Sequence, residues 1–201
     1  MKNYSRKLKL WESSALIALC LSLMAGTWAQ ARQNAISSEL IRLHVIAASD
    51  SSEEQKIKLA VRDKVLEYLG PVLKNAESPE EAEKIIRSSF SDIALAAASA
   101  AEGRKVSVSL SREPYPTKDY RGFSLPAGSY DSLRIILDEG KGKNWWCIVF
   151  PPLCLEAAQA EQVQSVMSLE DYRMVSGEKN CRIRFKIVEI WGELTNMLSK
   201  S

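Results

Sequence analysis

Histidine is all but missing from this chain: His44 is the only one in 201 residues. An imidazole is the usual acceptor of a nucleophile's proton, so His44 is left as the single candidate base for any Ser-His-Asp or Cys-His site. Cysteine is scarce as well. Cys20, Cys147, Cys154 and Cys181 form no C-x-x-C pair, and with one histidine no zinc pattern is matched, so no metal is expected. No Gly-x-Ser-x-Gly elbow is present to expose a hydrolase serine. Gly140-Lys141-Gly142-Lys143 fails as a Walker A loop, because the glycines are too close and Asn144, not Ser or Thr, follows the lysine. No internal repeat is present, and nothing in the motifs calls for a cofactor. An excess of one charge is lacking too. The chain has 27 basic and 25 acidic residues, and Lys2, Arg6, Lys7 and Lys9 against Glu12 place +3 in the first 31 residues, which leaves the rest at −1. A nearly neutral body has no footprint for a phosphate backbone, so nucleic acid is excluded as a partner.

What is present is a folding composition, 46% hydrophobic and 26% charged, behind a leader. The four early cations form a positive n-region, Ala15 to Leu23 forms an apolar core, and Ala29-Gln30-Ala31 fits a small-x-small cleavage site. Residues 1–31 are therefore expected to be a signal peptide and 32–201 a single extracytoplasmic domain. A retained anchor is the alternative, because Ser13 to Ala31 is 19 residues without a charge, about the span of a bilayer. The bulky Leu19 before Cys20 argues against a lipoprotein signal. Cys147 and Cys154 flank Pro151-Pro152, where a turn could join them in an oxidising compartment; buried free thiols are the other reading.

The body reads as an α+β domain: an amino-terminal strand and helices, then a mainly antiparallel sheet, then a carboxyl-terminal helix. Residues 39–48 form a strand with Leu43 and Val45 on one face and Arg42 and His44 on the other. Ser51 and Glu54 make a capping box for a helix whose apolar stripe (Ile57, Val61, Val65, Tyr68, Leu69) runs to Gly70-Pro71, where proline should halt it. Ser78-Pro79-Glu80-Glu81 starts a second helical stretch to about Ala101, divisible near Ser88-Ser89 or Ser91, with Gly103 as its stop. Val106, Val108 and Leu110 alternate with serines as a half-buried strand does. Strands at 130–137 and 145–150 are expected to pair as an antiparallel hairpin across 138–144. Residues 182–198 open as strand and close as helix.

Two sets of residues are candidates for protein contact. Lys141 and Lys143 sit at the expected hairpin tip, beside Trp145 and Trp146. Successive strand residues face opposite sides, so one tryptophan can enter the core, and the other is either exposed, as tryptophans at binding hot spots are, or covered by a second layer of structure. Arg42, His44 and Asp50 form the second set. The enzymatic rival is a secreted cell-envelope hydrolase in which Asp50 orients His44 toward Ser49, Cys147 or Cys154. Carboxylate pairs at Glu53-Glu54 and Glu80-Glu81 fall on helix starts, where they complement the dipole.

Two stretches carry a resemblance to a known family. They are Arg42 to Asp50 (RLHVIAASD) with the helix QKIKLAVRDKVLEYL at 55–69, and the block from Tyr115 to Leu155 containing PTKDY and LPAGSYDSLRIILDEGKGKNWWCIVFPPLC. The sequence resembles the stage II sporulation protein R family. Ala48 stands where the family usually has Asn, and Cys181 is an additional thiol. The resemblance implies a non-enzymatic intercellular signal. Such proteins are secreted from the forespore into the space between the septal membranes. There they activate a membrane-embedded aspartic protease on the mother-cell side, which processes the precursor of the early sigma factor.

Overall fold

The computed structural model describes residues 2–120 and 123–151. Helix α1 (Lys2–Ser38) leads into strand β1 (Ile41–Ile46), and three helices follow: α2 (Ser52–Leu73), α3 (Pro79–Ser88) and α4 (Phe90–Ala100). Five strands complete the described chain: β2 (Val106–Tyr115), β3 (Lys118–Tyr120), β4 (Phe123–Leu125), β5 (Gly128–Leu137) and β6 (Asn144–Phe150). The architecture is α+β. Four strands form one sheet in the order β2-β5-β1-β6, and β3 pairs with β4 in a separate two-stranded sheet. Only the β1–β5 pair is parallel. The expected carboxyl-terminal helix lies outside the described residues.

Alternation along the strands sorts side chains onto two faces. Leu43 and Val45 of β1, Leu133, Ile135 and Leu137 of β5, Leu110 of β2 and Val149 of β6 point one way. They meet Ile57, Val61, Val65 and Leu69 of α2, Ile86 of α3 and Ile93 and Ala97 of α4 in one buried cluster. Burying a side chain of this size is worth about 1.5–3 kcal/mol, so this face supplies most of the driving force. The opposite face carries a smaller cluster, in which Ile36 and Leu40 from the end of α1 join Tyr115, Phe123, Leu125, Tyr130 and Ile148.

The helix starts form where their caps are. Ser51 accepts from the Glu54 amide at 3.2 Å and Ser78 from the Glu81 amide at 3.2 Å, with Pro79 at the first helical position. The reciprocal arm of the Ser51–Glu54 box is not made. The Ser51 amide donates to Ser49 Oγ at 3.3 Å, and the Glu54 carboxylate turns to Arg104, which donates to it at 2.8 Å and so ties the segment after α4 to the start of α2. The helical stretch after Ser78 breaks at Ser89, as expected. Pro71 does not halt α2, which runs to Leu73. The clash that normally ends a helix before proline involves the preceding residue's Cβ, and Gly70 has none.

The hairpin expected from 130–137 and 145–150 does not form, because β1 lies between β5 and β6. β1 is buried along nearly its whole length, so it needs a paired neighbour on each side. The connection 138–143 instead crosses the end of β1. The Gly142 amide donates to the Ala47 carbonyl at 2.8 Å and the Lys143 amide to Asp50 Oδ1 at 2.7 Å. Lys58 donates to the Lys143 carbonyl at 3.1 Å from below, and its burial lowers the ammonium pKa while Asp50 opposes that shift. A Cβ at position 142 would collide with the Ser49 carbonyl oxygen. Gly142→Ala should therefore lose about 1–3 kcal/mol of stability in urea unfolding, whereas Lys143→Ala, which keeps its backbone donor, should lose well under half of that.

Candidate functional site

The sheet face turned away from the helices gathers the chemistry. Arg42 and His44 of β1 lie opposite Ser132 and Arg134 of β5 on one side and Ile148 and Trp146 of β6 on the other. Glu113 and Tyr115 reach this face from β2. Glu113 is the hub: its Oε2 accepts from His44 Nδ1 at 3.0 Å and its Oε1 pairs with Arg134 Nη1 at 3.3 Å. A carboxylate only accepts, so the proton on this side of the ring is on Nδ1. His44 Nε2 is then buried with no hydrogen-bond partner, under Trp146 at 5.8 Å and Tyr115 at 6.1 Å between ring centroids.

Arg42 is fully buried beside this pair. Its guanidinium carbon stands 3.8 Å from the Tyr115 ring centroid and 5.0 Å from that of Tyr130, and Nη2 donates to the Tyr120 hydroxyl at 2.8 Å. Tyr120 in turn stacks on Phe123 at 4.9 Å. Among the described residues no carboxylate pairs with Arg42, and its Nε and Nη1 are buried without a partner. Two ring faces at about 2 kcal/mol each and one hydrogen bond do not offset the burial of a full charge with two donors unmet.

The tyrosines are held as neutral phenols. Burial pushes Tyr115 up to about 12, against the opposing effects of its hydrogen bond to Ser132 (2.7 Å) and of Arg42 nearby. Burial raises Tyr120 and Tyr130 as well, and Tyr130 donates to the Pro126 carbonyl at 2.7 Å.

The two expected contact sets are thus redistributed. Arg42, His44 and Trp146 share one face, while Trp145 is on the other, packed against the helix-side cluster with the Arg62 guanidinium 4.4 Å from its ring. Both tryptophans are half-buried, so each is partly covered, as in the second of the two expected arrangements. Each strand face has its own cover. Lys141 and Lys143 are exposed on the crossover, where Lys141 pairs with Glu139. Asp50 belongs to that crossover and not to His44, whose orienting carboxylate is Glu113. Ser49 is likewise at the end of β1, and Cys147 projects to the helix side next to Leu43, so the described residues do not bring His44 together with Asp50, Ser49 or Cys147. Cys147 is disulfide-bonded. Cys154, its expected partner, lies outside the described residues. No group of three or more His, Cys, Asp or Glu able to hold a metal occurs among the described residues.

Comparison with known proteins now applies to this geometry. Residues 37–160 match the family model of stage II sporulation protein R. The chain belongs to that family. The matched region opens on the last turn of α1 and includes every strand named above, so it contains the Arg42–His44 face and the 138–143 crossover. The stage II sporulation protein R of Bacillus subtilis (strain 168) is 37% identical over 134 residues, 64% of this chain and 60% of that protein. The alignment therefore spans less than two thirds of that relative's length. No solved structure matches.

Sequence reading missed Glu113, Arg134 and the three tyrosines. A signal was present, because Ser107, Ser109, Ser111, Glu113 and Tyr115 share one strand face, on which Glu113 is the only charge. The partner of that charge required the strand order. One consequence is measurable at alkaline pH. The Tyr115 phenol is raised above its ordinary value, so the stability that neutral phenol contributes is intact below pH 10 and is lost as pH climbs toward about 12. Unfolding titrations should show that loss, about 2 kcal/mol from Tyr115, and Tyr115→Phe should remove that share while leaving the part due to Tyr120 and Tyr130.

Proposed function

We propose that this chain is the secreted forespore signal of its family, which docks on a membrane-embedded aspartic protease and shifts it toward the state that processes the mother cell's early sigma factor precursor. Family membership over 37–160 carries this reading. The amino terminus supports export: Lys9–Ser38 is long and apolar enough to cross a membrane and lies near the start of the chain, as a signal sequence does. The scattered positions of His44, Ser49, Asp50 and Cys147 support docking over bond-making chemistry. A ligand moves such an equilibrium only by binding the active form more tightly than the inactive one. The contact residues of this reading are Lys141 and Lys143 on the crossover and Trp146 on the sheet face. His44 and Asp50 position that surface, and Trp145 holds its helix side.

The test is reconstitution. Residues 32–201, supplied to membranes containing the protease and the precursor, should stimulate cleavage with no other forespore component, and absence of stimulation would overturn the reading. Within that assay, Lys141→Glu combined with Lys143→Glu should slow processing about tenfold at low salt and less at high salt, as charges at an interface rim do. His44→Gln separates signal from hydrolase: a glutamine can still donate to Glu113, so a docking protein keeps stimulating, while an enzyme that needs the imidazole loses everything with its fold intact.

A further inference from the structure

Arg42 is a permanent cation, fully buried, ringed by Tyr115, Tyr120 and Tyr130, with two N–H groups lacking acceptors and no carboxylate paired with it among the described residues. Arginine cannot shed its proton to relieve such a position. A cation left short in the free protein is compensated when a suitable anion arrives, and once Tyr120 releases Nη2, that nitrogen together with either open donor, Nε or Nη1, forms the two-donor edge that matches the two oxygens of a carboxylate. The anion is a carboxylate rather than a phosphate. The surroundings are Tyr rings, Ile36, Leu40 and Ile148, where one negative charge neutralises Arg42 and a second would be stranded, and the neighbouring Glu113 would repel it.

We propose that Arg42 is an anchor for an acidic side chain of the docking partner, admitted when the Tyr120 ring swings away from the guanidinium. Tyr120 suits that part. Among the described residues it is the sole hydrogen-bond partner of the Arg42 side chain, it is only half-buried, and it belongs to the β3–β4 pair rather than to the four-stranded sheet. The inference rests on the docking function for the identity of the partner. The carboxylate chemistry does not.

Acetate, set against chloride at equal ionic strength, is the probe, and thermal unfolding of residues 32–201 is the readout. Acetate should raise the melting temperature of the unaltered domain by about 2 °C or more and should give no such rise in Arg42→Met. Arg42→Met should itself melt no lower than the parent, since removing an uncompensated buried charge costs nothing. Tyr120→Ala should show the acetate effect at several-fold lower concentration, because the cover is gone. An equal rise with and without Arg42, or no rise in either the parent or Tyr120→Ala, overturns the anchor. If Arg42→Met fails to fold, the parent and Tyr120→Ala titrations decide alone. In the processing assay, folded Arg42→Met should lose at least about tenfold of the stimulation, and Arg42→Lys should not restore it. A parent domain that never stimulates processing overturns the signalling function and leaves the acetate result standing on its own.

Discussion

A strand paired on both edges and covered on both faces can hold polar or charged side chains only where the rest of the fold brings partners to them, and β1 holds two such residues, Arg42 and His44. That constraint organises the sheet face opposite the helices. Glu113 comes from β2, across the intervening β5, to meet His44 and Arg134, and three tyrosines from β2, β3 and β5 enclose Arg42. The apolar helix-side cluster does not depend on any of these groups. Apolar packing and polar contacts are thereby divided between the two faces of a single strand, with Leu43 and Val45 on one and Arg42 and His44 on the other.

The same central position explains the crossover. Because β1 separates β5 from β6, the chain leaving β5 must pass over the end of β1 before it can pair on the far side. The acceptors for that passage, the Ala47 carbonyl and the Asp50 carboxylate, lie in the segment that follows β1. Lys141 and Lys143 are presented to solvent by a segment fixed by backbone hydrogen bonds, not by a free turn. A surface so held loses little conformational freedom when a partner binds, which favours affinity without added contacts.

Local signals in the sequence were sufficient wherever structure is decided locally. Ser51 and Ser78 cap helices, Ser89 breaks one, and the alternation at 106–110 is a strand. Contacts decided by strand order were not legible. Two strands joined by a glycine-rich loop read as a hairpin, and only the burial of β1 on both sides argues otherwise. Asp50 looked like the partner of His44 because it is six residues away. The actual partner is 69 residues away in the chain, and its approach depends on β5 lying between. The tryptophan pair was half legible. Opposite faces followed from strand geometry, but the cover over each face came from elements distant in sequence.

Helix α1 shows where the folded body begins. From Leu10 to Trp28 its large apolar side chains are exposed, whereas Gln33, Ile36, Ser37 and Leu40 are buried, with the Gln33 side chain lying where position 128 leaves no room for a Cβ. Each of those exposed leucines and isoleucines would gain roughly 1.5–3 kcal/mol by leaving water. A helix of this kind is long and apolar enough to cross a membrane, and its place near the start of the chain is compatible with a signal sequence. Apart from Gly26 and Ala29, the burial starts just after Ala31, so cleavage at the expected Ala29-Gln30-Ala31 site would divide the helix close to the line between its exposed apolar part and the part that packs on the sheet. A domain beginning at Arg32 would keep Ile36 and Leu40 under the tyrosine cage, and with them the enclosure that makes Arg42 a buried charge.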